Sequence, residues 1–440
     1  MNIIYSINLL SKKMKKNILI ISYSYPPNNV AGAQRPYALA KYLDKEKYKV
    51  TVITCENPDL PLGKNENFNP NLDGVEIVQV KSKIGNLTKN SHPKDNPMKK
   101  NPISVAFKSL LFKIAQIFIF PDKAMFWYGN VKQFFKNNPQ LIDNADVIFS
   151  TSPGVTNHQI ALYIKKQKKK IQWIADFRDF NYLENWEEKK GIKPFLHKKL
   201  EYNIIKEATN LTFVTNTMLQ AYQKHYKSFA YKMLSVYNGF EMEDVNNDAS
   251  SSASDQLVFF YAGTFYNGLR SPLPLLQLVD KVLEENIIDR SKIKIQIAGN
   301  IDEQTKLLMS KYNSYTCIDF LGNLPRAQVL AYMNKSTFLW LIVANIKSHY
   351  QTIPIKFYEY MATKRPIINF APHDAEVSYI IKNNQMGYNI NTLDFSLEQS
   401  YPLFLEVILN FKRGDYHLAL EYDLISFSWE MQIQKINELI

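Results

Sequence analysis

Short, continuous apolar runs alternate along the chain with longer stretches that have the spacing of amphipathic helices. Runs such as 17–22 (NILIIS) and 49–54 (KVTVIT) are typical of parallel strands buried on both faces. The predicted strands are 17–22, 49–54, 75–80, 147–150, 172–175 and 211–214 in the first half, and 258–261, 294–298, 317–321, 338–342 and 366–369 in the second. This pattern predicts an α/β fold with one doubly wound parallel sheet in each half.

A polar, serine-rich segment separates the two sets of predicted strands. Residues 241–256, EMEDVNNDASSSASDQ, show no apolar period and are the strongest candidate for a linker. A length of 440 residues also favours two domains over a single core. The predicted parts are a tail at 1–16, with Met14 as an alternative start, a first domain at 17–240, the linker at 241–256, a second domain at 257–417 and a C-terminal helix at 418–440.

The composition is that of a folded protein with a strong positive charge. Hydrophobic residues make up 46% of the chain and only 14 residues are glycine, which argues against extensive disorder. The two cysteines, Cys55 and Cys317, lie far apart, so neither a disulfide framework nor a cysteine metal cluster is indicated, and a reducing cytoplasm fits. The net charge of +12 favours an anionic partner, such as nucleotide phosphates, nucleic acid or an acidic membrane, unless the lysines only solvate helix faces.

Residues 103–120, ISVAFKSLLFKIAQIFIF, depart from the alternation of strands and helices. The run contains Lys108 and Lys113, which makes a membrane-spanning helix unfavourable. Its apolar residues with interposed lysines suit a helix lying in a membrane interface, and they also suit a helix packed in the core of a domain. The sequence leaves both alternatives open.

The first predicted strand is followed by the loop PPNNVAGAQR. Gly32 in this loop allows close approach of the backbone, and a helix is expected to begin near Arg35. Such a turn offers the free amides of a helix N-terminus to an anion or a polar ligand. The alternative is an ordinary connection between a strand and a helix.

Polar residues follow two further predicted strands, at the edge where open α/β sheets bind ligands. The segment SPGVTNHQIAL contains Ser152 and His158, and the segment WIADFRDF contains Asp176, Arg178 and Asp179. These residues are candidates for recognition of hydroxyl groups or for ordering the site. The alternatives are a histidine of the following helix whose hydrogen bonds are satisfied within the fold, and aspartates that cap the next helix.

In combination, these motifs resemble the retaining glycosyltransferases of family four. PPNNVAGAQR is similar to the family's PPxxGG loop, and WIADFRD looks like a signature of members that build bacterial surface polysaccharides. The similarity extends in order from residue 17 to about residue 387. It implies a GT-B fold, in which two Rossmann-like domains face each other across a cleft. The residues that the resemblance assigns to the acceptor side of this cleft are Gly32, Arg35, Ser152, Asp176 and Arg178.

The second half contains the stronger local matches. FFYAGTFYNGLRSPLPLL is similar to the family's strand and glycine loop, which implies that Gly263 and Arg270 meet the donor pyrophosphate. IPIKFYEYMATKRPII resembles the family's PxKxxEYMAxGKP segment, in which the position of Glu359 binds the ribose hydroxyls. The alternative is that Glu359 forms only a helix-face pair with Lys356, three residues earlier.

Two positions depart from the family's pattern. The lysine that usually follows the arginine is replaced by leucine at 275 and 276, so Lys356 is the candidate for the second cation. The glutamate that usually precedes the ribose-binding glutamate by eight residues is Gln351, which is assigned to a sugar hydroxyl. The loop around Gly322 is assigned to the border of the nucleobase.

The resemblance implies an enzyme that moves a sugar from a UDP- or GDP-sugar donor to a lipid-linked or polysaccharide acceptor, with retention of the anomeric configuration. The expected context is synthesis of capsule, O-antigen or exopolysaccharide in the cytoplasm, with peripheral contact with an anionic membrane. Arg270 and Lys356 are expected to stabilise the leaving diphosphate, and His158 and Asp179 are further candidate catalytic residues. No metal or other cofactor is expected, because cations take the place of the metal.

Two other classes of function stay open. A GT-B nucleotide-sugar epimerase would use the same donor site without an acceptor. A nucleic-acid-binding protein is suggested by the charge alone. The chain contains no recognisable nucleic-acid-binding module, so no nucleic-acid partner is expected.

Overall fold

The computed structural model describes residues 15–28, 30–58, 71–83, 119–245, 255–266, 268–415 and 423–440. Met14, residues 103–118 of the predicted apolar segment and residues 246–254 of the predicted linker lie outside these ranges. The chain divides into two compact units. The first unit comprises the described residues of Met1–Val214, Leu219–Val236 and Ile433–Ile440, and the second comprises those of Thr215–Met218 and Tyr237–Gln432.

The described residues of the first unit form a seven-stranded sheet in the order β3-β2-β1-β4-β5-β6-β7, with every neighbouring pair parallel. Its strands are β1 (Lys16–Ile21), β2 (Tyr48–Cys55), β3 (Val75–Val80), β4 (Val147–Thr151), β5 (Gln172–Phe177), β6 (Asn210–Phe213) and β7 (Met233–Ser235). The helices in this part of the chain are α1 (Ala31–Tyr42), α2 (Met125–Asn137), α3 (Gln140–Asp143), α4 (Val155–Gln167), α5 (Ile192–Glu207) and α6 (Asn216–His225).

The strand β1 shows why these apolar runs form strands. Ile20 pairs with Val52 on one side and with Phe149 on the other, and all three side chains are fully buried. A strand in the middle of a parallel sheet is covered on both faces, so its residues are apolar without alternation.

The described residues of the second unit form a six-stranded parallel sheet in the order β10-β9-β8-β11-β12-β13. Its strands are β8 (Leu257–Ala262), β9 (Ile293–Ala298), β10 (Ile318–Gly322), β11 (Phe338–Ile342), β12 (Ile367–Ala371) and β13 (Gly387–Asn391). The helices that follow α6 are α7 (Leu273–Glu284), α8 (Glu303–Met309), α9 (Arg326–Lys335), α10 (Lys347–Tyr350), α11 (Ile355–Ala362), α12 (Glu376–Asn383), α13 (Leu397–Arg413) and α14 (Trp429–Asn437).

Successive side chains of this second sheet enter two separate hydrophobic clusters. Phe338 and Trp340 of β11 pack in the cluster that includes Phe404 of α13. Leu339 and Leu341 pack in the cluster on the other face. Both faces of the sheet are therefore covered, which is the doubly wound arrangement that the alternation of strands and helices predicts.

The predicted fold class is confirmed, and two strands were missed. β7 has only three residues and lies at the edge of its sheet, so its apolar run is too short to detect. β13, with the sequence GYNIN, is polar and partly exposed because it forms the other sheet's edge. No helix within the described ranges has the length and apolar character needed to cross a membrane.

The C-terminal helix differs from its predicted extent. α14 begins at Trp429, whereas a helix over 418–440 was predicted, and residues 416–422 lie outside the described ranges. Its end belongs to the first unit, where the carbonyl of Ile440 accepts a 2.6 Å hydrogen bond from the Nζ of Lys16. The predicted helix thus contributes residues to both units.

Candidate functional site

Three glycines lie at the C-terminal ends of neighbouring strands in the second unit. The amide of Gly263 donates to the carbonyl of Ala298 over 2.8 Å, and the amide of Gly299 donates to the carbonyl of Gly322 over 2.7 Å. A Cβ atom at Gly299 would lie 2.2 Å from the carbonyl oxygen of Gly263, and its φ of +135° also requires glycine. The loops after β8, β9 and β10 therefore pack closely through their backbones, because the glycines have no side chains at the points of contact.

Lys356 reaches this edge from the first turn of α11. Its Nζ donates to the carbonyl of Ala262 over 2.9 Å and lies 3.6 Å from the centre of the Tyr261 ring. A Cβ atom at Gly263 would lie 3.3 Å from the same nitrogen. Burial lowers the pKa of the Lys356 ammonium, the charge of Arg270 lowers it further, and only Glu359 opposes this shift.

Arg270 supplies the second cation in the loop after β8. Its amide donates to the carbonyl of Phe265 over 3.0 Å, and its guanidinium lies 4.8 Å from the centre of the Tyr266 ring. In the part of the chain that the structure describes, no carboxylate forms an ion pair with Arg270 or with Lys356. Two neighbouring cations without a carboxylate in an ion pair with either are chemically suited to an anion with more than one charge.

Glu359 follows Lys356 by one helical turn. Its Oε1 lies 3.7 Å from the Nε of Arg326, and 29% of its side chain is exposed. Burial raises the pKa of Glu359, and the guanidinium of Arg326 opposes the shift. Arg326 is itself held by two hydrogen bonds to the carboxylate of Asp244. The Glu359 carboxylate is thus oriented from one side and keeps an exposed part that can accept hydrogen bonds from a ligand.

Gln351 and Gly322 are the remaining residues that the sequence assigned to the donor. Gln351 is 7% exposed, and its side-chain oxygen has no hydrogen-bond partner among the described residues. Its backbone carbonyl accepts a 2.7 Å hydrogen bond from the hydroxyl of Thr215. Gly322 is exposed and joins the site through its bond to Gly299. The assigned roles of both residues stay predictions.

Three residues of this cluster escaped the sequence analysis. Arg326 is the first residue of α9 and directly follows the GNLP loop. A cationic residue so soon after a glycine at a strand end could have been recognised in the sequence as a candidate for the site. Asp244 lies in a short 3-10 helix within the acidic segment that was interpreted as linker. Tyr261 is part of an apolar strand, and nothing in its sequence context distinguishes it from a core residue; burial raises the pKa of its phenol to about 12.

In the first unit, Asp176 is the centre of a buried polar network. Its Oδ1 lies 2.8 Å from Nη1 of Arg35 and accepts a 2.6 Å hydrogen bond from Thr212, and its Oδ2 accepts one of 2.6 Å from Thr151. Arg35 also donates to the carbonyl of Val236 over 2.7 Å. Asp176 lies within β5, and its carboxylate accepts hydrogen bonds from all of these donors. The alternative that it caps the following helix is therefore wrong.

Arg178 connects this network to the loop before α1. Its Nη2 donates to the carbonyl of Gly32 over 2.8 Å, and its backbone amide donates to the hydroxyl of Ser152 over 2.8 Å. Burial lowers the pKa of Arg178 to about 10, and the nearby Asp176 opposes this shift. The structure therefore brings together the five residues predicted for the acceptor side, with Arg35, Asp176 and Arg178 buried and bonded to one another or to backbone.

His158 and Asp179 occupy opposite environments. His158 is fully buried, its Nδ1 lies 2.8 Å from the hydroxyl of Ser150, and its ring stacks on Phe177. Burial lowers the pKa of His158 to about 4. Asp179 is exposed. The catalytic roles of both residues stay predictions.

Among the described residues, no group of three or more histidine, cysteine, aspartate or glutamate side chains is arranged to hold a metal ion. The two cysteines are both buried thiols.

Solved structures share the architecture of both units. WaaG, a glycosyltransferase involved in lipopolysaccharide biosynthesis, aligns with a TM-score of 0.57 at 15% identity over 96% of this chain and 99% of its own. The structure described as trehalose-6-phosphate from E. coli bound with UDP-2-fluoro glucose aligns with a TM-score of 0.62 at 10% identity over 96% and 98%. A Listeria monocytogenes protein assigned as a UDP-N-acetylglucosamine 2-epimerase aligns with a TM-score of 0.53 at 11% identity over 96% and 95%.

At these identities the similarity establishes the fold alone. No protein-family model matches the sequence, and no curated protein sequence is detectably similar to it. The two parallel-sheet, Rossmann-like units and the structural neighbours together give the chain the GT-B fold.

Proposed function

We propose that the chain is a glycosyltransferase that binds a nucleotide-sugar donor on its second unit. The observation that carries this proposal is the cluster of Lys356, Arg270 and Glu359 at the C-terminal ends of the strands, next to Gly263. In open α/β sheets this edge is where ligands bind. Two cations match a diphosphate, and a carboxylate one helical turn away matches the paired hydroxyls of a ribose.

The proposed chemistry places the cations where negative charge develops. When the bond between the sugar and the diphosphate breaks, charge accumulates on the diphosphate oxygens, and Arg270 and Lys356 stabilise it there. Burial and the charge of Arg270 lower the pKa of Lys356. A bound anionic diphosphate raises this pKa again, because a neighbouring negative charge favours the protonated amine. This arrangement requires no metal ion, and retention of configuration rests on the resemblance to family four.

In the first unit we assign positioning roles to the buried charged residues. Arg178 holds the carbonyl of Gly32 and the hydroxyl of Ser152, so it fixes the loop that is proposed to meet the acceptor. The ion pair between Arg35 and Asp176 anchors the helix that begins in this loop. These side chains act through backbone groups, and the exposed Asp179 is the candidate for direct contact.

The proposed acceptor is a lipid-linked or polysaccharide hydroxyl, in the synthesis of capsule, O-antigen or exopolysaccharide at the cytoplasmic face of the membrane. Two observations support this context. The segment WIADFRD resembles members that build bacterial surface polysaccharides. WaaG, which shares the fold, is described as involved in lipopolysaccharide biosynthesis.

Replacement of Arg270 by alanine tests the donor site. Donor turnover should fall by about 10²- to 10³-fold, because a charge that stabilises the leaving group is removed from its place. Turnover of UDP- and GDP-sugars is measured by nucleotide release. The matched control is Arg290→Ala, which removes an exposed arginine elsewhere in the same unit. Equal donor turnover in Arg270→Ala and in the parent would contradict the assignment of Arg270 to the donor diphosphate.

A nucleotide-sugar epimerase is the second candidate, because a protein assigned to that activity shares the fold over almost the whole chain. An epimerase needs the donor alone, whereas a transferase needs an acceptor. Product analysis after incubation with the donor alone distinguishes them. Epimerised nucleotide-sugar supports the second candidate, and its absence together with acceptor-dependent nucleotide release supports the first.

A further inference from the structure

The helix α5 carries large apolar side chains on its exposed side. Ile192 is 80% exposed, Phe195 63%, Leu196 37% and Tyr202 46%. With Lys199, these residues follow the spacing i, i+3, i+4, i+7 and i+10, so they form one helix face, called here the outer face of α5. A group of large exposed apolar side chains marks a surface that binds something.

The opposite face of α5 is already anchored in the core. The carboxylate of Glu201 accepts hydrogen bonds from the amide of Tyr182 over 2.8 Å, the hydroxyl of Tyr222 over 3.0 Å and the hydroxyl of Tyr226 over 2.7 Å. Ile204 and Ile205 are fully buried on the same side. The helix therefore already buries one apolar face, and its second apolar face is left for a partner.

Lysines surround the outer face. Lys198 is exposed on the helix beside this face and Lys199 lies on it, while Lys189 and Lys190 are exposed just before the helix, after the exposed residues 187–188 (EE). The Nζ of Lys189 lies 4.5 Å from the centre of the ring of Trp186, which brings an aromatic ring to the same end of the helix. Apolar and aromatic side chains flanked by flexible lysines are the composition of helices that lie in anionic membrane interfaces.

A second observation comes from the predicted apolar segment. Phe120, its last residue, packs edge-on against His197 of α5, with ring centres 4.9 Å apart. The apolar segment 103–120 therefore ends beside α5. Its composition suits a helix in a membrane interface, which is one of the two alternatives that the sequence leaves open.

We infer that the outer face of α5 docks on an anionic membrane surface. The apolar side chains enter the boundary between headgroups and acyl chains, and the lysines bind the anionic headgroups. The inference rests on the proposed function for the location of the enzyme only, and it does not depend on the proposed chemistry. A second copy of the chain is the alternative occupant, and sedimentation velocity separates it from a membrane surface.

Vesicle binding of the full chain tests the inference. Vesicles of phosphatidylcholine alone are compared with vesicles that contain roughly one quarter phosphatidylglycerol, a fraction that gives an anionic surface. The protein should sediment with the anionic vesicles and less with the neutral ones. The double variant Ile192→Ser, Phe195→Ser should weaken this binding at least about tenfold, because two apolar side chains no longer enter the interface. Lys198→Gln should weaken it by roughly fivefold.

The matched control is the double variant Leu307→Ser, Lys311→Gln, which changes an exposed leucine and an exposed lysine of the second unit. It should bind vesicles as the parent does. A second measurement uses Phe195→Trp, whose fluorescence should be quenched by brominated lipids. Nucleotide release from the donor is followed in each variant, so that loss of membrane binding is distinguished from loss of the proposed chemistry.

Three results would overturn the inference. The first is that the parent and the Ile192→Ser, Phe195→Ser variant sediment equally with anionic vesicles, while only replacement of Lys108 and Lys113 abolishes this binding. The second is absence of vesicle binding by the parent at low salt. The third is self-association of the parent in sedimentation velocity that the same double variant abolishes, without vesicle binding, which would make the outer face a contact between copies.

Discussion

At the scale of single residues, Arg178 illustrates why a conspicuous charged motif need not touch a ligand. Its guanidinium donates to the carbonyl of Gly32, and burial leaves little of the side chain accessible. Arg178 also lies 3.8 Å from the buried carboxylate of Asp176. Removal of one partner from a buried ion pair leaves an uncompensated charge and lowers the free energy of unfolding by about 3–5 kcal/mol. The motif WIADFRD therefore carries information about the geometry of a loop.

Glu359 provides a prediction on binding. Replacement by glutamine should weaken the binding of the preferred nucleotide by about tenfold or more, since a neutral amide accepts hydrogen bonds from the ribose less strongly than a carboxylate. The fold should keep its stability, because burial already disfavours the charged form of this residue. Titration calorimetry with UDP and GDP measures the affinity. Glu303→Gln, a change at an exposed glutamate of α8, should leave it unchanged. Equal affinities of parent and Glu359→Gln would remove the carboxylate from the nucleotide site.

His158 provides a prediction on pH. Burial lowers its folded-state pKa to about 4, whereas an unfolded histidine titrates near about 6.5. The unfolded state therefore binds more protons between these values, and the free energy of unfolding should fall by up to about 3 kcal/mol as the pH decreases from about 6.5 to about 4.

Urea denaturation at a series of pH values checks this dependence. The variant His158→Gln should lose that share of the pH dependence, because it no longer has the titrating ring. His373→Gln, which changes an exposed histidine, should keep it. A pH profile that is the same in His158→Gln as in the parent would show that His158 does not titrate in this way.

At the scale of elements, glycines decide how strands meet. Gly299 lets the loops after β8 and β9 touch, and Gly387 lets β13 pair with β12, since a Cβ atom there would lie 2.0 Å from the carbonyl oxygen of Ile367. Gly387 stands in no motif that points to this contact. The close approach of two backbones is a property of the assembled sheet.

The pairing of β12 and β13 can be tested through Gly387. Replacement by alanine should destabilise the protein by more than about 2 kcal/mol, because the added Cβ atom forces the two strands apart and the φ of +145° is unfavourable for alanine. The control Gly414→Ala also changes a glycine with positive φ, but in open space, and should cost about 1 kcal/mol. Chemical denaturation measures both. Equal losses in the two variants would contradict a steric role for Gly387.

At the scale of the whole molecule, the proposed donor site lies entirely in the second unit. Binding of the preferred nucleotide at about 100 times its Kd should slow local opening of the contacted loops by up to about 100-fold. Hydrogen exchange followed by mass spectrometry should show the largest protection in peptides covering Gly263, Arg270, Gly322 and 354–360. Protection concentrated in the first unit would contradict the placement of the donor.

Most of the fold was predictable from the sequence, because burial on both faces of a parallel sheet leaves apolar runs that can be recognised locally. The strand β11, with the sequence FLWLI, is an example. The edge strands β7 and β13 were not predictable, since an edge needs less apolar surface. For the candidate site, Lys356 and Glu359 could be singled out because both stand in one short segment that resembles a motif of family four.

The sequence by itself determined the α/β class, the two sets of strands and the candidate residues at their ends, because these follow from local apolar periodicity and from short motifs. Only the tertiary structure decided which residues act together. It joined Arg326 and Asp244 to Glu359, buried His158, and turned an apolar face of α5 outward. Such contacts link residues that are distant along the chain, and each depends on how much of a side chain the rest of the fold covers.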